Sequence, residues 1–134
     1  MTAISGKQTV LPTTNRALPL PPTSAKIALP ITDGLRFERV ENIVYLEAAG
    51  NYTFLHFQDG ERLLVCRTLQ DMQSRLSAPH RFVRIHRSYI INVDYLERYV
   101  RGKGGYVVLE GKVSLTVSNS RRQEFLDWLE CYFR

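Results

Sequence analysis

The chain has 134 residues, of which 44% are hydrophobic, and its formal net charge is +5 at pH 7. This length fits one folded domain and at most a tail. No stretch approaches the roughly 20 apolar residues of a membrane-spanning helix, and no apolar run follows a positive N-terminus as it does in a secretory signal. The sequence therefore predicts a cytoplasmic protein that does not insert into membranes.

The positive charge is unevenly distributed along the chain. Residues 1–30 carry three basic residues and no acidic one, which leaves only +2 of the +5 for the rest. Within that rest, residues 81–103 have six Lys or Arg against two Asp or Glu, whereas residues 31–80 have five against seven. A local cluster of this kind is what a phosphate-binding surface requires. By charge alone, a solvated strand edge guarded by arginines fits equally well.

The N-terminal segment differs in composition from everything that follows. Residues 1–25 hold most of the prolines, together with many Thr, Ser and small residues, and show no apolar periodicity. Such a composition is typical of disorder. We therefore predict a disordered Pro/Thr-rich tail or linker over residues 1–25 and a folded domain over residues 26–134.

The first half of the domain has the pattern of four strands and a short helix. Its β-branched and aromatic residues occur in segments separated by Gly, Asn and Asp turn signals. The predicted strands are residues 26–31, 43–49, 52–57 and 62–66. Thr68, with Asp71 three residues later, predicts the start of a short helix that Pro79 prevents from continuing.

The second half repeats the pattern and closes with a longer helix. The predicted strands are residues 82–85, 89–91, 96–100, 106–109 and 113–117. Ser120, with Gln123 three residues later, predicts the N-cap of an amphipathic helix. Its apolar face comprises Phe125, Leu126, Trp128, Leu129, Tyr132 and Phe133. We therefore predict a mostly β, multi-stranded antiparallel fold with one short helix and one C-terminal amphipathic helix.

Catalytic and metal-binding patterns are weak in this sequence. Cys66 and Cys131 are far apart and form no CxxC pair, which predicts two buried free thiols rather than a disulfide or a zinc site. No nucleophile elbow, P-loop or HExxH motif occurs. His56 is more typical of a sheet-surface or satisfied buried residue than of a ligand, and Glu47 of an ion pair with an arginine. We predict no enzyme activity, no metal and no cofactor.

The most informative segment is residues 81–94, with the sequence RFVRIHRSYIINVD. Apolar residues on both sides of His86, Arg87 and Ser88 predict two strands joined by a polar turn. Strands of this kind hold the turn rigidly and expose its cationic side chains. Because a planar guanidinium matches O6 and N7 of guanine in the major groove, Arg87 is a candidate base-reading residue. A phosphate contact or a surface ion pair is the alternative, and it suits Arg84 better.

Several segments together resemble a LytTR DNA-binding domain. They are residues 43–48, 50–53, 67–69 and 82–92, and the resemblance covers the whole predicted domain in the order and spacing of that family. It implies an elongated, mostly β fold in which loops, rather than a recognition helix, enter successive major grooves. It further implies a bacterial transcription regulator that binds direct repeats in double-stranded DNA as a dimer. Members of the family often carry a receiver domain before this module, but no segment here is long enough to be one, so we expect a stand-alone regulator.

The resemblance places three contact loops at residues 50–52, 86–88 and 118–122. The candidates for base contact are Asn51, Arg87 and Asn119. The candidates for DNA backbone contact or loop support are Tyr52, Arg84, His86, Ser88, Lys103, Arg121 and Arg122. The third loop departs from the family, since many members have Ser-Arg where this chain has Ser118-Asn119. Either Asn119 reads a different base, or Arg121 reaches the groove, or Asn119 helps to cap the helix.

Control and partners leave alternatives open. A sensor kinase or membrane partner, oligomerisation or abundance could each set the activity of such a regulator. A second class of function is a β-rich protein-interaction module without DNA binding, which would recruit its partner through a sheet edge or the Trp128 helix.

Overall fold

The computed structural model describes residues 26–76 and 81–133. In these ranges the chain forms ten strands, two α-helices and two short 3-10 turns. The strands are β1 (Lys26–Ile31), β2 (Gly34–Arg39), β3 (Ile43–Ala49), β4 (Tyr52–Phe57), β5 (Arg62–Val65), β6 (Phe82–His86), β7 (Tyr89–Asn92), β8 (Leu96–Val100), β9 (Tyr106–Leu109) and β10 (Val113–Thr116). The helices are α1 (Leu69–Arg75) and α2 (Asn119–Tyr132), and the 3-10 turns are Val40–Asn42 and Val93–Tyr95. The tail predicted for residues 1–25 lies outside the described residues and stays a prediction.

The strands form three antiparallel sheets. The hairpin β1–β2 is a two-stranded sheet. A five-stranded sheet has the order β5-β4-β3-β7-β6, and a three-stranded sheet has the order β10-β9-β8. The mostly β antiparallel fold with one short helix and one C-terminal helix is thereby confirmed.

The five-stranded sheet is buried on both faces. Ile90 and Ile91 are adjacent on β7, yet they belong to two different apolar clusters, because successive side chains of a strand point to opposite faces. One cluster contains residues of α1 and β1, and the other contains residues of the three-stranded sheet and Phe125 of α2. This arrangement explains the near-continuous apolar runs in β3 and β7, which a sheet with one wet face would not need.

The strand β2 was missing from the sequence prediction. Its alternation is inverted: Leu35 and Phe37 are exposed, while Arg36 and Glu38 face the protein and are partly buried. Arg36 donates to Glu38 and to Glu61, each at 2.6 Å. The packed face of this strand is therefore satisfied by ion pairs, and it has no apolar stripe that the sequence could reveal.

Of the two predicted helix N-caps, one is confirmed by the structure and one was wrong. The hydroxyl of Thr68 accepts the backbone N–H of Asp71 at 3.1 Å, which confirms the predicted cap of α1. The predicted cap of α2 was wrong, because the helix begins at Asn119 and Ser118 holds the N-cap position without a side-chain capping bond. The backbone N–H of Ser118 donates to the carbonyl of Ile85 at 2.9 Å, so a contact with β6 fixes the chain just before the helix.

The prediction of buried thiols was also wrong. Cys66 and Cys131 are free and exposed. Cys66 follows the buried Val65, and strand alternation turns it outward. Cys131 lies on the outer face of α2, since the inward positions are taken by apolar residues such as Phe125. Neither helix of the described chain is long and apolar enough to cross a membrane.

Candidate nucleic-acid interface

The turn between β6 and β7 is organised by its own side chains. The ring Nδ1 of His86 accepts the backbone N–H of Ser88 at 3.0 Å. The guanidinium of Arg84 donates through Nε to the carbonyl of His86 at 3.0 Å and through Nη2 to the carbonyl of Arg87 at 2.5 Å. Arg87 is exposed, and its side chain makes no hydrogen bond or ion pair with the described residues. The side chains of Arg84 and His86 thus hold the backbone of the turn, and the Arg87 guanidinium stays available to a ligand.

Arg84 also connects this turn to the helix α1. Its Nη1 donates to Oε1 of Gln73 at 2.9 Å. Three of the five guanidinium N–H groups are therefore engaged within the protein. Burial, and secondarily the charge of the nearby Arg121, lower the pKa of Arg84. Arg121 belongs to the third loop, and that loop is bonded to the end of β6 through the N–H of Ser118 and the carbonyl of Ile85.

The first loop is a tight connection between β3 and β4. Ala49 pairs with Tyr52, so Gly50 and Asn51 form a two-residue turn, and Gly50 has a φ of 65°, which a residue with a side chain rarely adopts. Asn51 and Tyr52 are both exposed. Behind them, the hydroxyl of the fully buried Thr53 donates to the carbonyl of Arg67 at 2.8 Å. The turn therefore exposes the amide of Asn51 and the phenol of Tyr52, and the buried Thr53 anchors the chain behind them.

The third loop is the start of α2. Asn119 is exposed, and its Oδ1 accepts from Nη2 of Arg122 at 2.6 Å. The acceptor oxygen of this amide is thus engaged, whereas its Nδ2 has no partner in the described chain. Arg121 and Arg122 are partly buried, and the backbone N–H of Arg121 donates to the carbonyl of Ser118 at 3.1 Å.

Backbone hydrogen bonds bring the loops to one end of the molecule. The N–H of Ala48 donates to the carbonyl of Ser88 at 2.9 Å, which joins the first loop to the turn of Arg87. The Ser118–Ile85 bond joins the third loop to the same turn. The β8–β9 loop that carries the exposed Lys103 adjoins the third loop, since the N–H of Val117 donates to the carbonyl of Gly105 at 3.0 Å. The structure thus gathers the predicted site residues of four loops.

Two residues with structural roles had escaped the sequence prediction: Gln73, which contacts Arg84, and Asn92, which lies at the end of β7 away from the turn of Arg87. Gln73 gives no local signal, because a glutamine on an exposed helix face is ordinary. Asn92 is fully buried, donates to the carbonyl of Ile43 at 2.8 Å and accepts from the N–H of Asp94 at 3.0 Å. A polar residue inside the run Ile90–Val93 was the available signal for Asn92.

Glu47 and His56 interact with each other, although the sequence predicted an ion pair between Glu47 and an arginine. Glu47 contacts Nε2 of His56 at 3.0 Å rather than an arginine, and the His56 ring stacks on Tyr45 with 4.0 Å between centroids. Burial lowers the pKa of His56, although the contact with Glu47 opposes this shift. Tyr45 and His56 line a cleft of about 420 Å³ between the five- and three-stranded sheets, at the end away from the loops. Within residues 26–76 and 81–133, no three metal-ligating side chains gather into a site.

A family model, a relative and a solved structure are similar to this chain. The model of the LytTr DNA-binding domain matches residues 33–130. The CO-responsive transcriptional regulator RcoM of Rhodospirillum rubrum is 31% identical over 96 residues, which are 70% of this chain and 40% of that protein. This chain thus spans well under half of the relative's length. A solved LytTr DNA-binding domain from Bacillus cereus superimposes with a TM-score of 0.68 at 24% identity, over 78% of this chain and 95% of that one. The chain belongs to the LytTr DNA-binding domain family.

Proposed function

We propose that this chain binds specific sequences in double-stranded DNA and acts as a bacterial transcription regulator, with its inter-strand loops in successive major grooves. The observation that carries the proposal is the braced turn that leaves Arg87 exposed between two other polar loops. Membership of the family and the likeness to a transcriptional regulator support it. The excess of basic residues over residues 81–103 provides the attraction to phosphate.

Each loop supplies one base-reading residue in this proposal. Arg87 donates to O6 and N7 of guanine. Asn51 has no side-chain partner in the described part of the chain, so its amide is available to both N6 and N7 of adenine. Asn119 reads chiefly through its Nδ2 donor, because Arg122 already occupies one of the two acceptor positions of its oxygen. A donor alone is accepted by N7 of either purine, so the third loop discriminates less than the other two.

The remaining candidates hold the DNA backbone or shape the loops. Arg84 and His86 support the turn of Arg87 through the hydrogen bonds described above. Exposed or partly buried hydroxyl and cationic groups at the same end are suited to phosphate oxygens. These residues are Tyr52, Ser88, Lys103, Arg121 and Arg122.

We further propose that the protein acts in the cytoplasm as a dimer on direct repeats. A second copy on a neighbouring repeat raises the occupancy of both sites by effective concentration. Residues 1–25 serve in this proposal as a flexible tail, and a sensor kinase or membrane partner sets the activity. The chain has no enzyme activity in this scheme.

A binding titration tests the proposal. A duplex is first selected from a random-sequence pool with the full chain, and its affinity is then measured for the wild type and for Arg87→Ala. We expect Arg87→Ala to lose about 1–3 kcal/mol and to relax the preference at one position of the duplex. The logarithm of the wild-type association constant should fall linearly with the logarithm of the salt concentration, by about 0.9 per phosphate contacted.

A matched control removes the same charge elsewhere. Lys112 lies in the β9–β10 turn at the opposite end of the three-stranded sheet, with a φ of 65° that asparagine tolerates. Lys112→Asn should therefore bind nearly as the wild type does. Equal affinities for Arg87→Ala and Lys112→Asn would remove the role of Arg87. Binding without sequence enrichment or salt dependence would refute the proposed function.

One observation favours the alternative function. Leu35 and Phe37 on β2 are 57% and 58% exposed, and exposed apolar side chains side by side on a strand suit a protein partner. A protein-interaction module would bind such a partner with no affinity for the selected duplex. In that case Leu35→Ser with Phe37→Ser would abolish binding, whereas Arg87→Ala would leave it unchanged.

A further inference from the structure

A hydrogen bond connects the helix α1 to the turn that presents Arg87. Gln73 accepts from Nη1 of Arg84 at 2.9 Å, while Nε and Nη2 of the same guanidinium donate to two carbonyls of the turn. The helix itself is anchored in the apolar cluster through Leu69 and Met72, both nearly fully buried. Gln73 therefore extends from a fixed element to the guanidinium that holds the turn.

The geometry of the guanidinium explains why this bond matters. Its five N–H groups lie in one plane, so a contact on one nitrogen fixes the direction of the others. With Nη1 held by Gln73, the bonds from Nε and Nη2 define where the carbonyls of His86 and Arg87 lie. Without Gln73, the guanidinium keeps its two bonds to the turn but loses its bond to α1, so the turn loses one of its constraints. A displacement of about 1 Å at a recognition group is enough to weaken a directional contact.

We propose that Gln73 is a positioning residue for DNA reading, which acts through Arg84 on the turn that presents Arg87. The inference rests on the proposed function and deepens it, since it names a residue that sets specificity without touching DNA. Gln73 is exposed, and its amide oxygen accepts from Arg84 at the surface of the protein. Arg84 in turn has three of its N–H groups engaged within the chain.

The test compares two glutamines of the same helix. Gln73→Met removes the acceptor of the Arg84 bond and keeps a good helix former. Gln70→Met makes the same change at an exposed position of α1 whose side chain forms no hydrogen bond in the described chain. The full chain is titrated with the selected duplex and with the duplex altered at the base pair that Arg87→Ala ceases to discriminate. The ratio of the two dissociation constants measures discrimination at that base pair.

We expect Gln73→Met to lower this ratio roughly three- to tenfold, and Gln70→Met to leave it within about twofold of the wild type. Gln73→Glu keeps an acceptor for Arg84 and should retain the ratio, because its added charge weakens binding to both duplexes alike. At a second base pair, one that Arg87→Ala still discriminates, Gln73→Met should leave the corresponding ratio unchanged. This restriction to the base pair read by Arg87 separates positioning of Arg87 from a general loss of stability.

The experiment distinguishes failure of the proposed function from failure of the inference about Gln73. If the wild type enriches no sequence, the proposed function fails. If the wild type discriminates and Gln73→Met matches Gln70→Met, the inference alone is overturned. It is also overturned if Gln73→Met lowers discrimination equally at a base pair that Arg87→Ala still discriminates, since the effect would then bypass Arg87.

Discussion

Replacement of Asn92 by alanine should destabilise the domain more than its small change in volume suggests. Asn92 is fully buried at the end of β7. Its Nδ2 donates to the carbonyl of Ile43 at 2.8 Å, and its Oδ1 accepts from the N–H of Asp94 at 3.0 Å. Ile43 is itself fully buried, so in Asn92→Ala its carbonyl loses a partner that water does not replace.

The magnitude follows from the two lost bonds. An unpaired buried carbonyl costs about 1–3 kcal/mol. The second bond caps the 3-10 turn Val93–Tyr95. Because Asp94 is exposed, its N–H can form a hydrogen bond with water instead, so the loss of this cap costs only about 0.5–1 kcal/mol. We therefore expect Asn92→Ala to lower the free energy of unfolding by roughly 1.5–4 kcal/mol, a large part of the 5–15 kcal/mol typical of a domain.

Urea unfolding followed by the fluorescence of Trp128, the single tryptophan, measures this change. Asn42→Ala is the matched control, because Asn42 is partly exposed and its side chain accepts only a 3.3 Å bond from Gln58. It should lower the free energy of unfolding by less than about 0.5 kcal/mol. A value for Asn92→Ala within about 0.5 kcal/mol of the wild type, at an unchanged slope, would refute the reasoning.

Three further predictions use the same protein. Burial lowers the pKa of His56, so as the pH falls below about 6.5 the unfolded chain binds the proton first and stability decreases. Urea unfolding between about pH 7.5 and 5 should show a steeper loss for the wild type than for His56→Gln, and equal losses would contradict this. Thr68→Ala removes the hydroxyl that accepts from Asp71 and should cost about 1 kcal/mol, whereas Thr68→Ser should retain most of the stability. Loss of the same amount in both would exclude the cap as the cause. Cys66 and Cys131 are exposed and should both react with a thiol reagent in the folded protein; protection of either until urea is added would show that it is buried.

Local sequence patterns predicted the elements whose signals are local. The turn at Gly50-Asn51 and the cap at Thr68 depend on residues within a few positions of each other, and both are found in the structure. The pattern failed for β2, because its inward residue Arg36 is satisfied by Glu61, 25 positions away. It failed for the start of α2 because a bond from Ser118 to β6 fixes the chain there.

For the candidate site, the sequence by itself determined the polar turn around Arg87, the amide of Asn51 and the family to which they belong. These depend on side-chain chemistry and on the spacing of apolar anchors, which are properties of the order of residues. Only the tertiary structure decided that Arg84 turns inward to Gln73 and to the turn, and that Arg122 engages the oxygen of Asn119. The direction in which a long cationic side chain extends depends on the acceptors that folding brings within about 3 Å of it, and the sequence does not specify those distances.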